Sequence, residues 1–328
     1  MTSTFYSEEA ANRRNSILLM LLVIAFLAVF GFVIGFSIGY GSGQEVLFGV
    51  VALAIAIGIG TLSAVGSYFG GDQLVLASSH AHEVTQEQAP QLYNVVQEMA
   101  IAANVPMPRV YIIDDPSPNA FATGRDPQHS SVAITTGLLQ KLNREELQGV
   151  LGHEMSHVRN YDIRFTMVVG VMVGSIALLA GFFLRYTFWF GGGGRKSDRD
   201  GGGGGFGIVL LIVGLVMAAL SYVFGALVQM AVSRQREYLA DASSVELTRN
   251  PHGLESALAK ISSDPEPLHS VNGATQHLYI VNPLKKAGGG SALFSTHPPI
   301  LDRINRLRQL TGEAPLDPSQ TQGLGGLQ

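Results

Sequence analysis

The chain divides by the spacing of its hydrophobic and polar positions. Ser16 to Tyr40 reads SILLMLLVIAFLAVFGFVIGFSIGY, with no ionisable group before its terminal Tyr. Val46 to Tyr68 is a second such run, Phe165 to Leu184 a third, and Phe206 to Val232 a fourth, with Gln229 as its amide. A bilayer core about 30 Å thick needs ~20 helical residues at ~1.5 Å each, and all four runs reach that length. A buried helix of a soluble core is usually shorter and keeps some polar face. The pattern therefore predicts four membrane segments. The first run exceeds the ~7–15 apolar residues of a signal-peptide core. No small-residue cleavage site follows it, and the second run begins after the loop Gly41 to Glu45. A membrane hairpin is predicted.

Between the apolar runs the pattern is that of a soluble protein. In Gln88 to Ala103, Leu92, Val95, Val96, Met99 and Ala100 fall at i, i+3, i+4, i+7 and i+8, which predicts a helix. Asn104 ends it, with Pro106 and Pro108 beyond. The β-branched runs Arg109 to Asp114 and Ser131 to Thr136 predict strands. Asn143 with Glu146 three residues on is a capping box, and an apolar stripe from Leu147 runs towards Asp162 without a breaker. Further helices are predicted for Arg234 to Thr248, Leu254 to Ile261 and Pro299 to Leu310, the last with Ile300, Ile304 and Leu307 on one face. The tail after Gly312 is rich in Gly, Pro and Gln and is expected to be disordered. The organisation is thus a hairpin (1–70), a first polar block (71–162), a second hairpin with a Gly-rich loop (163–232), a second polar block (233–312) and a tail (313–328).

Composition agrees. Charged residues make up 14% of the 328, against about 25% in a typical soluble domain, and mean hydropathy is +0.26. Charge is missing from particular stretches and not thinned evenly. The net charge of −4 excludes a basic nucleic-acid binder. With 0 Cys there is no disulfide scaffold, thiol nucleophile or Cys-ligated metal. Arg13 and Arg14 precede the first run and the loop Gly41 to Glu45 has no basic residue, so the N-terminus and the region after Tyr68 are expected on the cytoplasmic side.

The first polar block contains His153-Glu-Met-Ser-His157. On a helix, i and i+4 side chains share a face, so both imidazoles can reach one tetrahedral Zn²⁺, one per chain, with Glu154 placed to take a proton from an attacking water. Chance would give such a motif in roughly one chain in a hundred of this composition. Positions 160 and 163 are Asn and Ile, so no third His follows at metzincin spacing, and a downstream carboxylate is expected as third ligand. Glu237 could ligate, and Asp241, sharing its face, could hold a ligand His by the other ring nitrogen. Glu246 is a rival. Because two apolar runs lie between His157 and Glu237, the chain must cross the membrane there an even number of times or only dip into it. The site then lies on the cytoplasmic side.

The residues resemble the HtpX-type membrane zinc metallopeptidases, and more distantly the CAAX prenyl proteases. The likeness covers most of residues 71 to 310. It rests on PSPNAFATG (Pro116 to Gly124), TTGLL (Thr135 to Leu139), ELQGVLGHEMSHVRNYD (Glu146 to Asp162), SRQREYLAD (Ser233 to Asp241), HLYIVNPL (His277 to Leu284) and FSTHPP (Phe294 to Pro299). The resemblance implies a mainly α membrane protein, with four membrane helices and an α+β gluzincin-like zinc peptidase domain holding a small β-sheet. It implies His153, His157 and Glu237 as zinc ligands and Glu154 as general base. It implies an edge strand at Asn119, Ala120 and Phe121 that pairs with an extended substrate. His297 would stand near the site as an oxyanion donor, with Arg303 orienting it or Asp241. The implied activity is endoproteolysis of misfolded or damaged membrane proteins at the cell membrane. A dedicated CAAX-type processing protease would need more spans than four, and a non-catalytic scaffold has no chemical need for Glu154.

Overall fold

The computed structural model describes residues 5–169, 234–266, 278–280 and 298–316, with 181, 185, 215, 216 and 219 besides. Most of the third and fourth apolar runs, the Gly-rich loop and His297 lie outside the described residues. Two compact units are present, one built on residues 17–67 and the other on the polar blocks.

The first unit is a hairpin formed by the residue 17–67 portions of α1 (Phe5–Ile38) and α2 (Glu45–Ser78). Arg14–Ile38 and Glu45–Ser78 have mean hydropathies of 3.3 and 2.4, and both are long and apolar enough to cross a membrane. Gly41 and Gly43 turn the chain at φ 80° and 75°, a region that favours glycine. The Gly41 N–H donates to the Glu45 carboxylate at 2.9 Å. Close packing of the two helices needs small residues: a Cβ on Gly31 would stand 2.6 Å from the Ala56 Cβ and 2.8 Å from the Ala52 carbonyl oxygen. Leu21, Val29, Val50 and Ile55 are exposed on the hairpin. The second helix runs ten residues beyond the apolar run that predicts it. Hydropathy reports the solvent around a helix, and nothing after Tyr68 interrupts the backbone ladder until His80, at φ 53°.

The second unit has a helical core with a small sheet against it. Its elements are β1 (Ala81–Glu83), α3 (Pro90–Ala103), β2 (Arg109–Ile113), β3 (Ala120–Asp126), β4 (His129–Thr135), α4 (Thr136–Lys141) and α5 (Arg144–Arg159). After the intervening region come α6 (Arg234–Thr248), α7 (Pro251–Ser263) and α8 (Ile300–Thr311). The sheet order is β1-β2-β4-β3, with β2 and β4 parallel and the other pairs antiparallel. Among the described residues β3 therefore lies at an edge.

The helix α5 is the centre of this unit and packs on α3, α6, α7 and β3. Leu92, Val96, Val150, Met155, Leu254 and Ile304 are buried together between these elements. The predicted capping box forms: Asn143 Oδ1 accepts from the Glu146 N–H at 2.9 Å, and Glu146 Oε2 accepts from the Asn143 N–H at 2.8 Å. Glycines set the helix spacing. A Cβ on Gly149 would stand 2.5 Å from the Leu254 nitrogen, and one on Gly152 would stand 3.0 Å from Ser244 Oγ. Ser244 Oγ donates to the Gly149 carbonyl at 2.6 Å. This close approach brings α6 across the motif-bearing turn of α5.

Two expectations need adjusting. The helix from Asn143 does not run unbroken to Asp162: Asn160 ends it, and Tyr161 takes φ 61° before the helix resumes at Asp162. The first residues of the predicted disordered tail fold back on α8. There Leu316 N–H donates to Asn305 Oδ1 at 2.7 Å and Arg308 Nε to the Ala314 carbonyl at 2.8 Å.

Candidate metal centre

The buried side of α5 presents His153 and His157 one turn apart, and α6 presents Glu237 opposite them. His153 Nε2 and His157 Nε2 are 3.1 Å apart. Glu237 Oε2 is 3.7 Å from His153 Nε2, and its Oε1 is 3.6 Å from His157 Nε2. Donors bound at 2.0–2.2 Å to one tetrahedral ion stand roughly 3.3–3.6 Å apart. The two imidazole nitrogens and the Glu237 carboxylate thus outline one face of such a tetrahedron and leave its fourth corner for another ligand. Two imidazole Nε2 atoms this close cannot both carry protons, and facing lone pairs repel unless a cation lies between them.

The tautomers are set from behind. His153 Nδ1 faces Asp241 Oδ1 at 3.0 Å, and His157 Nδ1 faces Asp162 Oδ2 at 2.9 Å. Each carboxylate accepts the Nδ1 proton and turns the Nε2 lone pair towards the shared centre. Each carboxylate also meets an arginine. Arg303 grips Asp241 with two bonds, Nε to Oδ2 at 2.9 Å and Nη2 to Oδ1 at 2.6 Å. Arg236 Nη1 stands 3.7 Å from Asp162 Oδ1, its guanidinium 4.4 Å from the centroid of the Phe165 ring. The residue set fits a divalent cation: two neutral imidazoles, one carboxylate, and a charged shell that orients them.

Electrostatics divides the two histidines. Burial lowers the His153 pKa to about 4, against the opposing pull of Asp241. His157 is also desolvated, yet Asp162 and Glu237 outweigh that and raise it to about 9. Burial raises Glu154 to about 7, with Glu237 adding to the rise and His157 and the Ala122 backbone N–H opposing it. These are the values of the protein groups alone. A dication among them favours the neutral imidazoles and the ionised carboxylates.

The surrounding cavity, of about 30 Å³, is lined by Ala122, His153, Glu154, His157, Glu237 and Ile280 among others. That is room for about two waters. The model family described as "Peptidase family M48" matches residues 86–311 of the chain. The chain belongs to peptidase family M48. A "Protease HtpX homolog" of Streptococcus mutans is 49% identical over 306 residues, covering 93% of this chain and 99% of the relative. One from Streptococcus uberis is 46% identical over 305 residues, with the same coverage. This M48 chain is a metallopeptidase, a hydrolase that acts on polypeptides, and it carries two helices able to cross a membrane.

The other predicted site residues fall as follows. Glu154 is buried beside the two histidines. Asp241 and Arg303 stand directly behind His153. Glu246, the rival ligand, is half exposed and stands 4.0 Å from Arg159, away from the gathered donors. Asn119, Ala120 and Phe121 are buried. Asn119 Oδ1 accepts from the Ala120 N–H at 3.1 Å, and the Ala120 carbonyl accepts from the Ile280 N–H at 3.0 Å. The Phe121 ring meets Tyr279 edge-on at 5.1 Å. Alternation along β3 turns the backbone groups of Ala120, Ala122 and Gly124 away from β4; those of Ala120 are engaged and the Ala122 N–H meets the Glu154 carboxylate, which leaves the Ala122 carbonyl and the groups of Gly124 on that side among the described residues. Two residues went unread in the sequence, Asp162 and Arg236. An arginine beside the candidate ligand Glu237 was the signal for the second; the first had none, because the reversal at Tyr161 leaves no mark in the pattern.

Proposed function

We propose that the chain is a multi-pass zinc endopeptidase of the cell membrane that cuts misfolded or damaged membrane proteins at their cytoplasmic loops, as a step of protein quality control. The observation that carries this reading is the convergence of His153 Nε2, His157 Nε2 and the Glu237 carboxylate within 4.8 Å of one another, with Glu154 buried against them. His153, His157 and Glu237 would hold the ion. When bound, zinc supplies Lewis acidity, polarising a peptide carbonyl and making water a competent nucleophile near neutral pH. Glu154 accepts the proton of the attacking water and passes it to the nitrogen of the departing amine. Asp241 and Asp162 keep the two imidazoles in the ligating tautomer throughout.

An extended substrate adds to β3 at the Ala122 carbonyl and Gly124, where backbone hydrogen bonds give affinity without demanding a sequence. Such tolerance suits a protease of damaged proteins. The basic pair Arg13 and Arg14 before α1 supports a cytoplasmic N-terminus, and an even number of crossings by α1 and α2 returns the peptidase unit to that side. The relatives' name, "Protease HtpX homolog", supports the proteolytic part of this reading.

Glu154→Gln is the test. The variant should hold zinc at the wild-type stoichiometry by elemental analysis while its cleavage of casein falls by at least ~10²-fold. Chelation of the wild type should abolish the same cleavage. A Glu154→Gln protein that cleaves at the wild-type rate removes Glu154 as the base.

A further inference from the structure

Where α2 leaves its apolar run, the second unit holds a cavity that the peptidase reaction does not use. It measures about 350 Å³ and is lined by Phe69, Asp72, Met107, Arg109, Arg125 and His129, with Gln73, Gln128 and Ser130 completing it. Its depth follows from the helix. Val46 to Phe69 is one continuous helical stretch, and its rise at ~1.5 Å per residue is roughly 35 Å, a hydrocarbon core and the start of the headgroup layer. Tyr68 and Phe69 fall where aromatic side chains gather at membrane surfaces. Basic groups stand over both rings: Arg164 lies 5.5 Å from the Tyr68 centroid and Arg125 5.2 Å from that of Phe69.

We propose that this cavity binds the phosphate-bearing headgroup of an anionic phospholipid, with Arg109 and Arg125 as its anion-holding groups. The proposal rests on the reading of α2 as a membrane span. Two guanidiniums and one carboxylate line the cavity, and a second carboxylate, Asp126, stands beside Arg125, so the anion is held by the unshared edges of the two guanidiniums and not by a surplus of charge. Arg109 commits one nitrogen to Asp72 at 2.7 Å, which leaves the other edge of its planar fork for a phosphate. Arg125 lies against Phe69, with its Nε 3.5 Å from Asp126 Oδ2, and keeps both terminal nitrogens for the ligand. The amides of Gln73 and Gln128 offer neutral donors to ester and glycerol oxygens. A volume of about 350 Å³ suits a headgroup and not acyl chains.

The experiment uses the full chain, reconstituted in nanodiscs of mixed phosphatidylglycerol and phosphatidylcholine and then released into the gas phase for native mass spectrometry. The wild type should retain phosphatidylglycerol in preference to phosphatidylcholine. An Arg near the membrane surface is worth enough that Arg109→Gln with Arg125→Gln should weaken that preference about thirtyfold. Asp72→Asn should strengthen it about fivefold, a gain that a damaged fold cannot produce, and casein cleavage by both variants should match the wild type. Equal retention of the two lipids by the wild type overturns the proposal, as does an undiminished preference in the double variant. Release of the lipid by millimolar inorganic phosphate would reassign the site to a soluble phosphate and overturn the lipid assignment. Failure of the chain to enter nanodiscs of any composition would overturn the membrane reading itself, and so is distinguishable from failure of this site.

Discussion

Arg303 is the residue whose removal tests the construction of the site most directly. Its side chain is 0% exposed, and each of its three nitrogens donates within the unit. Besides the two bonds to Asp241, Nη1 donates to the Ile280 carbonyl at 3.0 Å, and Nη2 lies 3.4 Å from His153 Nδ1. Burial disfavours its charge, but Asp241 more than offsets that and holds the guanidinium firmly protonated. Arg303→Met keeps the length and most of the volume and deletes the charge. What remains is the Asp241 carboxylate, 4% exposed, without its counter-charge, a state that costs roughly 3–5 kcal/mol. Asp241→Asn alone strands the arginine at a comparable cost. In the double variant neither charge is orphaned, and Asn still accepts from His153 Nδ1–H. Its loss should fall well short of the sum of the two singles, by a coupling of roughly 2–3 kcal/mol. For a domain of this size 1 kcal/mol is worth roughly 2–4 °C of melting temperature, so Arg303→Met should melt ~6–20 °C lower. Far-UV circular dichroism of the detergent-solubilised, metal-free proteins measures all four corners of the cycle. Losses that simply add would show that Arg303 and Asp241 do not act as a pair, and would refute the account of how His153 is held.

Three further outcomes follow from the same geometry. Asp162→Asn should leave the fold intact and lower zinc affinity by ~10–100-fold in chelator competition; an unchanged affinity would strip the Asp162 contact of its role. Glu146 accepts from Lys260 Nζ at 2.8 Å and Ser256 Oγ at 2.5 Å. Burial pushes its pKa up, but Lys260, Ser256 and the Asn143 N–H hold it below its ordinary value of 4.5. A carboxylate with a depressed folded pKa stabilises fully above its unfolded value and loses that contribution as pH falls through the folded one. Glu146→Gln keeps the cap and loses the ion pair, which is half exposed at Lys260. It should cost about 1 kcal/mol at pH 7, a gap that closes as pH falls below the ordinary value of 4.5 and through the depressed folded one; a gap independent of pH would contradict it. Gly149→Ala gains about 1 kcal/mol of helix propensity, but the new Cβ meets the Leu254 nitrogen at 2.5 Å. A net loss of roughly 1–3 kcal/mol is expected, and a stabilised variant would mean that α5 and α7 do not approach so closely.

What could be read from the chain depended on how far apart its partners stand. His153, Glu154 and His157 share one helical turn, and Glu237 with Asp241 share another, so spacing alone places each group on a common face. The capping box at Asn143 is equally local, and it formed as spaced. The second carboxylate escaped notice because it depends on Tyr161 taking φ 61°, a reversal that no pattern of hydrophobic positions marks. The three residues of β1 are too few to show a period, and the parallel pairing of β2 with β4 is a long-range event. Arg303 is the instructive case. It is 62 residues from Asp241 and 150 from His153, beyond any local rule. Yet Ile300, Arg303, Ile304 and Leu307 stand at i, i+3, i+4 and i+7, so the arginine occupies a position of the apolar stripe of α8. A charge at a buried position of an amphipathic helix must find an opposite charge inside the fold. The one acid left over on the face of Glu237 is Asp241. The pairing was therefore implied by two helices considered together, although neither implied it alone.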